Sequence, residues 1–394
     1  MPAALLHREL ARGSLPEPML ALFNSQFIRS NDLIQEYVAR QALEVFVSTG
    51  FARAFEDEAS AAEAVQRAGL HDDVAVVPAT WLCETLASRG WLQRRACADD
   101  TVRYRAATPP DELDPQEIAD LQAAHDARAL PSYRIVALAA GLYGPVLRGE
   151  LQGEDALFSR ANLTAWLEYF SNANPLYAIN NAIHALAVGK ALSERRGAVL
   201  EVGAGLGSAA QAIFAATAQD PALASRLERY RVTDISPQFL RRAKEALVTQ
   251  APSAAIDFSW LDIDEPFADH GVAPGSYVIV HGVNVLHVAS DLGRTLAQIR
   301  EALCEDGMLV ATECIRPRAG MPLYVEFVFN LLESFRSPRK LEPWRPNGGF
   351  LTPENWTAAL EANGFTDVSI VPDIARIRDS NPDLLVAAIS ARRA

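Results

Sequence analysis

Ala198-Val199-Leu200-Glu201-Val202-Gly203-Ala204-Gly205-Leu206-Gly207-Ser208 carries the strongest structural signal in this chain. The apolar run 198–202 predicts a fully buried strand, and three glycines at alternate positions then turn the chain into an apolar helix over 208–218. Glycine is required where backbone bends sharply and a ligand comes close, because a Cβ would clash. Glu201, on the strand just before the turn, is a carboxylate that is costly to bury without a partner. The combination points to a nucleotide-like ligand.

Gly205 to Ala210 also satisfies the dinucleotide pattern G-x-G-x-x-A, which keeps a nicotinamide- or flavin-dependent oxidoreductase open. The next apolar run, Tyr230 to Thr233, ends in Asp234, where an acid at the tip of a second strand accepts both ribose hydroxyls of an adenosyl group. A third run, Ile256 to Trp260, is followed by Leu261-Asp262-Ile263, which suits an acid on the adenine amine beside an apolar contact to the ring. The spacing from Gly205 to Asp234 exceeds the roughly 20 residues of the dinucleotide fingerprint. Together these elements resemble a class I S-adenosylmethionine-dependent methyltransferase. The resemblance implies a doubly wound, Rossmann-like α/β sheet with S-adenosylmethionine as cofactor. It places Glu201, Gly203, Gly205, Gly207, Asp234, Asp262, Ile263 and Asn284 around that cofactor.

The rest of the chain sets the setting. Its 394 residues predict two or three domains with ample surface for a core. A net charge of −13 argues against a nucleic-acid partner, since phosphate binding needs a basic face. Cys83, Cys97, Cys304 and Cys314 show neither metal-ligand spacing nor a disulfide framework, so reduced thiols, no metal and a cytoplasmic location are expected. Residues 1–9 meet charge too early for a signal peptide, and no run reaches the roughly 20 apolar residues of a membrane span.

Upstream, apolar residues Leu33, Ile34, Tyr37, Val38, Ala42, Val45 and Phe46 predict a helix over 31–48. Further helices are expected over 58–68, closed by Gly69, and over 78–89, opened by Pro78 and closed by Gly90. A hairpin of 91–95 and 101–105 about a turn at 98–100 follows. Helices followed by a hairpin resemble a winged helix. The acidic surroundings, Glu56-Asp57-Glu58 and His71-Asp72-Asp73, favour dimerisation or closure of an active site over DNA binding, which makes a homodimer an expectation. Thr108 to Pro115 reads as a linker.

Residues 116–192 predict helices broken near Pro131, Pro145 and Pro175. Within them, Tyr143-Gly144-Pro145-Val146-Leu147-Arg148-Gly149-Glu150 and then Asp155-Ala156-Leu157-Phe158 resemble the entry to the C-methyltransferase domains of type I polyketide synthases. By that resemblance the following helical segments hold Tyr169, Tyr177 and Asn181, which line a path to the substrate or pack and cap their helices; an aromatic-rich insertion over 316–350, with Tyr324 and Trp344, covers the cleft or forms ordinary core between the domains.

A buried strand over 276–280 leads into His281-Gly282-Val283-Asn284-Val285-Leu286-His287. A helix over 292–304, a turn at 305–307 and a strand over 308–312 end in Glu313. Strands carrying His287 and Glu313 are neighbours in the methyltransferase topology, so both face one cleft beyond the strands' carboxyl ends. The run N-V-L-H resembles the same run in the polyketide C-methyltransferases, and the resemblance makes His287 the general base and Glu313 its partner. His281 follows the same strand with a weaker match. Such a base removes the α-proton of a β-ketoacyl thioester, and amide or tyrosine donors hold the enolate oxygen. The substrate is then an acyl chain on a carrier protein or a free small molecule of natural-product biosynthesis, with O-, N- or S-methylation as the rival chemistry. Three regions are expected: a helical, winged-helix-like domain over 1–110, a helical connector over 111–195, and the methyltransferase domain over 196–394. A helix opening at Leu351-Thr352-Pro353 and a terminal antiparallel hairpin complete the last.

Overall fold

In the computed structural model the described residues are 15–98, 101–107, 113–248 and 255–394. The expected turn residues 99–100, linker residues 108–112 and the N-terminal stretch 1–9 lie outside them. The chain forms two compact units.

One unit comprises residues 26–169 with 320–336. Its first long helix, Ser25–Ser48, buries the apolar stripe whose spacing predicted it. Ser60 caps helix Ala61–Arg67 in a reciprocal box with Glu63. Strands β1 (Leu92–Ala96) and β2 (Val102–Ala106) pair antiparallel. Pro78 departs from expectation: it lies inside helix Asp72–Ser88 and does not begin it. A proline deprives the carbonyl four residues earlier of its helical donor. That carbonyl, Val74, instead accepts from the Arg336 guanidinium at 2.7 Å. Pro145 likewise sits within helix Leu130–Leu147 without breaking it, whereas Pro175 opens helix Pro175–Glu194 as predicted.

The aromatic segment is divided between the units. Residues 320–336 pack among the helices, where Trp81 donates to the Leu323 carbonyl, Tyr143 donates to the Phe327 carbonyl, and the Tyr143 and Phe327 rings stack. A run of helix over 115–147 is long and apolar enough to cross a membrane by length and composition, which the sequence reading did not anticipate. The run contains Asp126, whose carboxylate caps the turn at 127–129, and part of it is buried within the protein.

The other unit holds the described residues up to Ser25, then 170–319 and 337–394. Seven strands form its sheet: β3 (Gly197–Glu201), β4 (Leu227–Asp234), β5 (Ala255–Trp260), β6 (Tyr277–Val283), β7 (Leu303–Cys314), β8 (Phe365–Val371) and β9 (Val386–Arg393). Their order is β5-β4-β3-β6-β7-β9-β8. The first five in that order run parallel, and β9 lies antiparallel between β7 and β8. Chain order reverses between β3 and β6, which fixes the switch point where such sheets bind ligands. β7 begins earlier than predicted, at Leu303. Its pairing with β6 is irregular there, and Asp306 adopts a left-handed φ of 57° in the expected turn.

Helix Pro175–Glu194 belongs to this unit and not with the helices before it. Val188, Ala191 and Leu192 on it join Val199, Ile213, Phe214, Tyr230, Val232 and Ile279 in one core cluster. Thr352 caps helix Pro353–Ala362, as the sequence indicated.

Candidate active site

At the carboxyl end of β3 the three glycines all take left-handed φ values, 61° at Gly203, 56° at Gly205 and 77° at Gly207. Gly207 is the residue before helix Ser208–Ala218. A Cβ on Gly203 would stand 2.4 Å from Val285 Cγ2, whereas a Cβ on Gly205 would meet nothing within 4 Å. One glycine therefore admits a neighbouring turn, and the other faces open space that a ligand can enter. Asp234 ends β4 beside them: one carboxylate oxygen accepts from the Gly205 N–H at 2.8 Å and the other from the Ser236 N–H at 2.7 Å. Burial raises its pKa, and the two backbone donors pull it back. Each carboxylate oxygen keeps acceptor capacity beyond these bonds. Asp262 and Ile263 sit half-buried in the turn after β5, where Asp262 accepts from the Asp264 N–H.

The turn after β6 is held from several directions. Glu313, at the end of β7 and fully buried, accepts from the Val285 and Leu286 N–H groups on one oxygen, at 3.2 and 2.9 Å. Its other oxygen lies 2.6 Å from His287 Nδ1. An ionised Glu313 can only accept, so Nδ1 carries the imidazole proton and Nε2 is the basic nitrogen. Phe350 packs on the imidazole with ring centroids 4.5 Å apart. Arg345, itself buried, donates to the carbonyls of His287 at 2.7 Å and Ala289 at 2.5 Å. Burial lowers its pKa, and the carboxylates of Asp264, Asp291 and Glu313 act in the opposite direction.

Asn284 takes a left-handed φ of 49°. Its side chain donates to Asn180 at 3.0 Å and accepts from the Cys314 N–H at 2.9 Å, so the amide ties the turn to a helix and to β7. Asn181 donates to Asn172, which in turn donates to the Ser208 carbonyl at the start of the glycine-turn helix. Tyr177 lies on the same helix as Asn181, and Trp344 lies near Gly293. Tyr169 and Tyr324 fall in the helical unit, where Tyr169 makes an edge contact to Trp166.

Four site residues escaped the sequence reading. Arg345 sits in a segment with no periodicity, and Tyr230 reads as an ordinary strand residue. Thr312 precedes Glu313, and His184 lies on a helix 97 positions before its partner His281. The weaker match, His281, is fully buried and lies 2.8 Å from His184.

Residues 200–309 match the family described as a methyltransferase domain. The highly reducing polyketide synthase 2 of Gibberella zeae is 32% identical over 47% of this chain and 7% of its own length. The highly reducing polyketide synthase ltbA of Aspergillus luteorubrus is 24% identical over 74% of this chain and 9% of its own. The chain thus spans less than a tenth of these relatives. Among solved structures, the CurJ carbon methyltransferase superposes over 100% of both chains with a TM-score of 0.77 at 22% identity. The citrinin polyketide synthase CMeT domain does so over 96% of this chain and 98% of its own, with a TM-score of 0.68 at 15% identity, and both likenesses show the shared fold. Residues 200–309 thus carry an S-adenosylmethionine-dependent methyltransferase domain, and the chain shares its fold with the carbon methyltransferase domains of polyketide synthases.

Proposed function

We propose that this methyltransferase acts on the α-carbon of a β-ketoacyl thioester, presented by an acyl carrier protein, in polyketide-type biosynthesis. The observation that carries the reading is the buried His287–Glu313 pair, 2.6 Å apart at the ends of adjacent strands. An α-proton between a ketone and a thioester is acidic enough for an imidazole, and Nε2 of His287 takes it. Glu313 holds Nδ1, fixes the tautomer and stabilises the imidazolium that forms. Arg345 keeps the turn in place through two carbonyls. Tyr177, Asn181 and Trp344 are the proposed substrate-facing groups of the unit that holds the sheet.

The residues fit S-adenosylmethionine. The open space over Gly205 admits its backbone-facing part, Glu201 is a buried acid with no cation paired to it among the described residues, and Asp234 and Asp262 suit ribose and adenine, with Gly203, Gly207, Ile263 and Asn284 shaping the walls. When bound it supplies an electrophilic methyl group. The test is incubation with isotopically labelled S-adenosylmethionine and a panel of carrier-bound and free β-keto substrates, with the methyl located by mass spectrometry. Label on the α-carbon supports the reading, and label on oxygen, nitrogen or sulfur refutes it.

A further inference from the structure

Beneath the glycine turn, five buried side chains form a single hydrogen-bonded chain. Glu201 Oε2 lies 2.9 Å from the Tyr230 hydroxyl, and that hydroxyl lies 2.9 Å from His281 Nε2. His281 Nδ1 lies 2.8 Å from His184 Nε2, and His184 Nδ1 lies 3.0 Å from the Thr312 hydroxyl. β3, β4, β6, β7 and helix Pro175–Glu194 contribute one residue each, and none is more than 1% exposed.

The proton inventory of this chain leaves few choices. Burial lowers the pKa of His184 to about 3, and burial followed by His184 lowers that of His281 well below its ordinary value. Both imidazoles are therefore neutral, each with one N–H and one lone pair. Tyr230 keeps its proton, its pKa raised by burial and then by Glu201. With Glu201 ionised, every link is satisfied in one arrangement alone: Thr312 donates to His184 Nδ1, His184 Nε2 to His281 Nδ1, His281 Nε2 to Tyr230, and Tyr230 to Glu201. With the Glu201 proton directed at Tyr230, all four bonds reverse and both histidines carry hydrogen on Nδ1. A mixed arrangement leaves two donors or two lone pairs facing each other, a penalty that burial makes severe.

Burial pushes the Glu201 carboxyl up to about 8, with the Tyr230 bond lowering it and Asp234 raising it. The groups facing Glu201 are Tyr230 and Asp234 from β4, His281 from β6 and Tyr177 from helix Pro175–Glu194. None of these carries positive charge, and among the described residues no cation pairs with Glu201.

We infer that Glu201, Tyr230, His281, His184 and Thr312 act as one reversible relay. Arrival of a cationic ligand beside Glu201 expels its proton to the buffer and reverses the four hydrogen bonds. Both histidines change from the Nδ1–H to the Nε2–H form, and the hydroxyl of Thr312, the residue next to Glu313, turns to donate to His184 Nδ1. Five exchangeable protons become four, and the fifth leaves the protein. The relay deepens the function proposed above, because it rests on S-adenosylmethionine binding at the Gly203–Gly207 turn, and it couples that event to the strand that carries Glu313, the partner of the proposed base.

The test uses full-length protein with ¹⁵N-labelled histidine at pH 7, with ring nitrogens assigned through His184→Gln and His281→Gln. Titration with S-adenosylmethionine should switch both histidines to Nε2–H, and calorimetry in buffers of different ionisation enthalpy should show release of about one proton. Raising the pH from 6 to 10 without ligand should produce the same switch. Tyr230→Phe should retain proton release and lose the tautomer response. Binding with unchanged tautomers and no ligand-free switch overturns the relay alone. Absence of any S-adenosylmethionine binding overturns the cofactor-site reading, and the ligand-coupled relay with it.

Discussion

Val285 fills the space where Gly203 would carry a side chain: its Cγ2 lies 2.4 Å from the ideal Cβ position. The glycine turn after β3 and the turn that leads to His287 are thereby packed as one piece across the switch point of the sheet. The two glycines consequently predict different outcomes. Gly203→Ala meets both the Val285 methyl and a left-handed φ, and should destabilise the protein by about 2 kcal/mol or more. Gly205→Ala meets open space, so its stability cost should be about 1 kcal/mol, while affinity for S-adenosylmethionine falls sharply. Urea unfolding and calorimetry separate the two. Equal stability losses would contradict this division.

Asn284 holds a left-handed backbone that few residues tolerate, and its amide bridges Asn180 and the Cys314 N–H. Asn284→Ala should cost about 2 kcal/mol in stability. A change within about 0.5 kcal/mol by urea unfolding would show that the bridge is dispensable.

Arg345 reaches the turn of the proposed base, His287, through the backbone carbonyls of His287 and Ala289. Arg345→Met, which keeps much of the apolar stem, should lower kcat by about 10²-fold through displacement of the imidazole, while cofactor affinity stays within a few-fold. A parallel loss of cofactor affinity would assign Arg345 a purely structural part.

The buried acid and the buried histidines predict opposite pH trends. Glu201 titrates near its ordinary 4.5 when unfolded and near 8 when folded, so the folded state holds an extra proton between those values. Its contribution to stability is present below pH 4.5 and is lost as pH rises to about 8. Glu201→Gln should remove that decline, measured as urea midpoints at pH 6 and pH 9. His184, depressed from 6.5 to about 3, holds fewer protons when folded, so stability falls as pH drops through that window. His184→Gln should flatten the acid limb. Unchanged pH profiles in both variants would contradict the charge states assigned to the network.

The glycine turn, Asp234 and the N-V-L-H run were legible because each is a contiguous pattern with a local physical reason. His287 and Glu313 followed from the strand order that those patterns implied, and they lie within hydrogen-bond reach. The histidine network was not legible. Glu201 and His281 are register partners on adjacent strands, but the remaining links come from Tyr230 across the sheet and from His184 on a helix packed over it. Such contacts arise from three-dimensional packing and leave no spacing in the chain. Pro78 was misplaced for a related reason: the donor that compensates for it, Arg336, is 262 positions from Val74, which accepts it.

Single-turnover transfer by His287→Gln decides whether His287 is the base for methyl transfer. The assay uses labelled S-adenosylmethionine and a β-ketoacyl thioester, with cofactor affinity measured alongside by calorimetry. A rate reduced by about 10² to 10⁴-fold with affinity within a few-fold of wild type is the predicted result. A rate within a few-fold of wild type would contradict it.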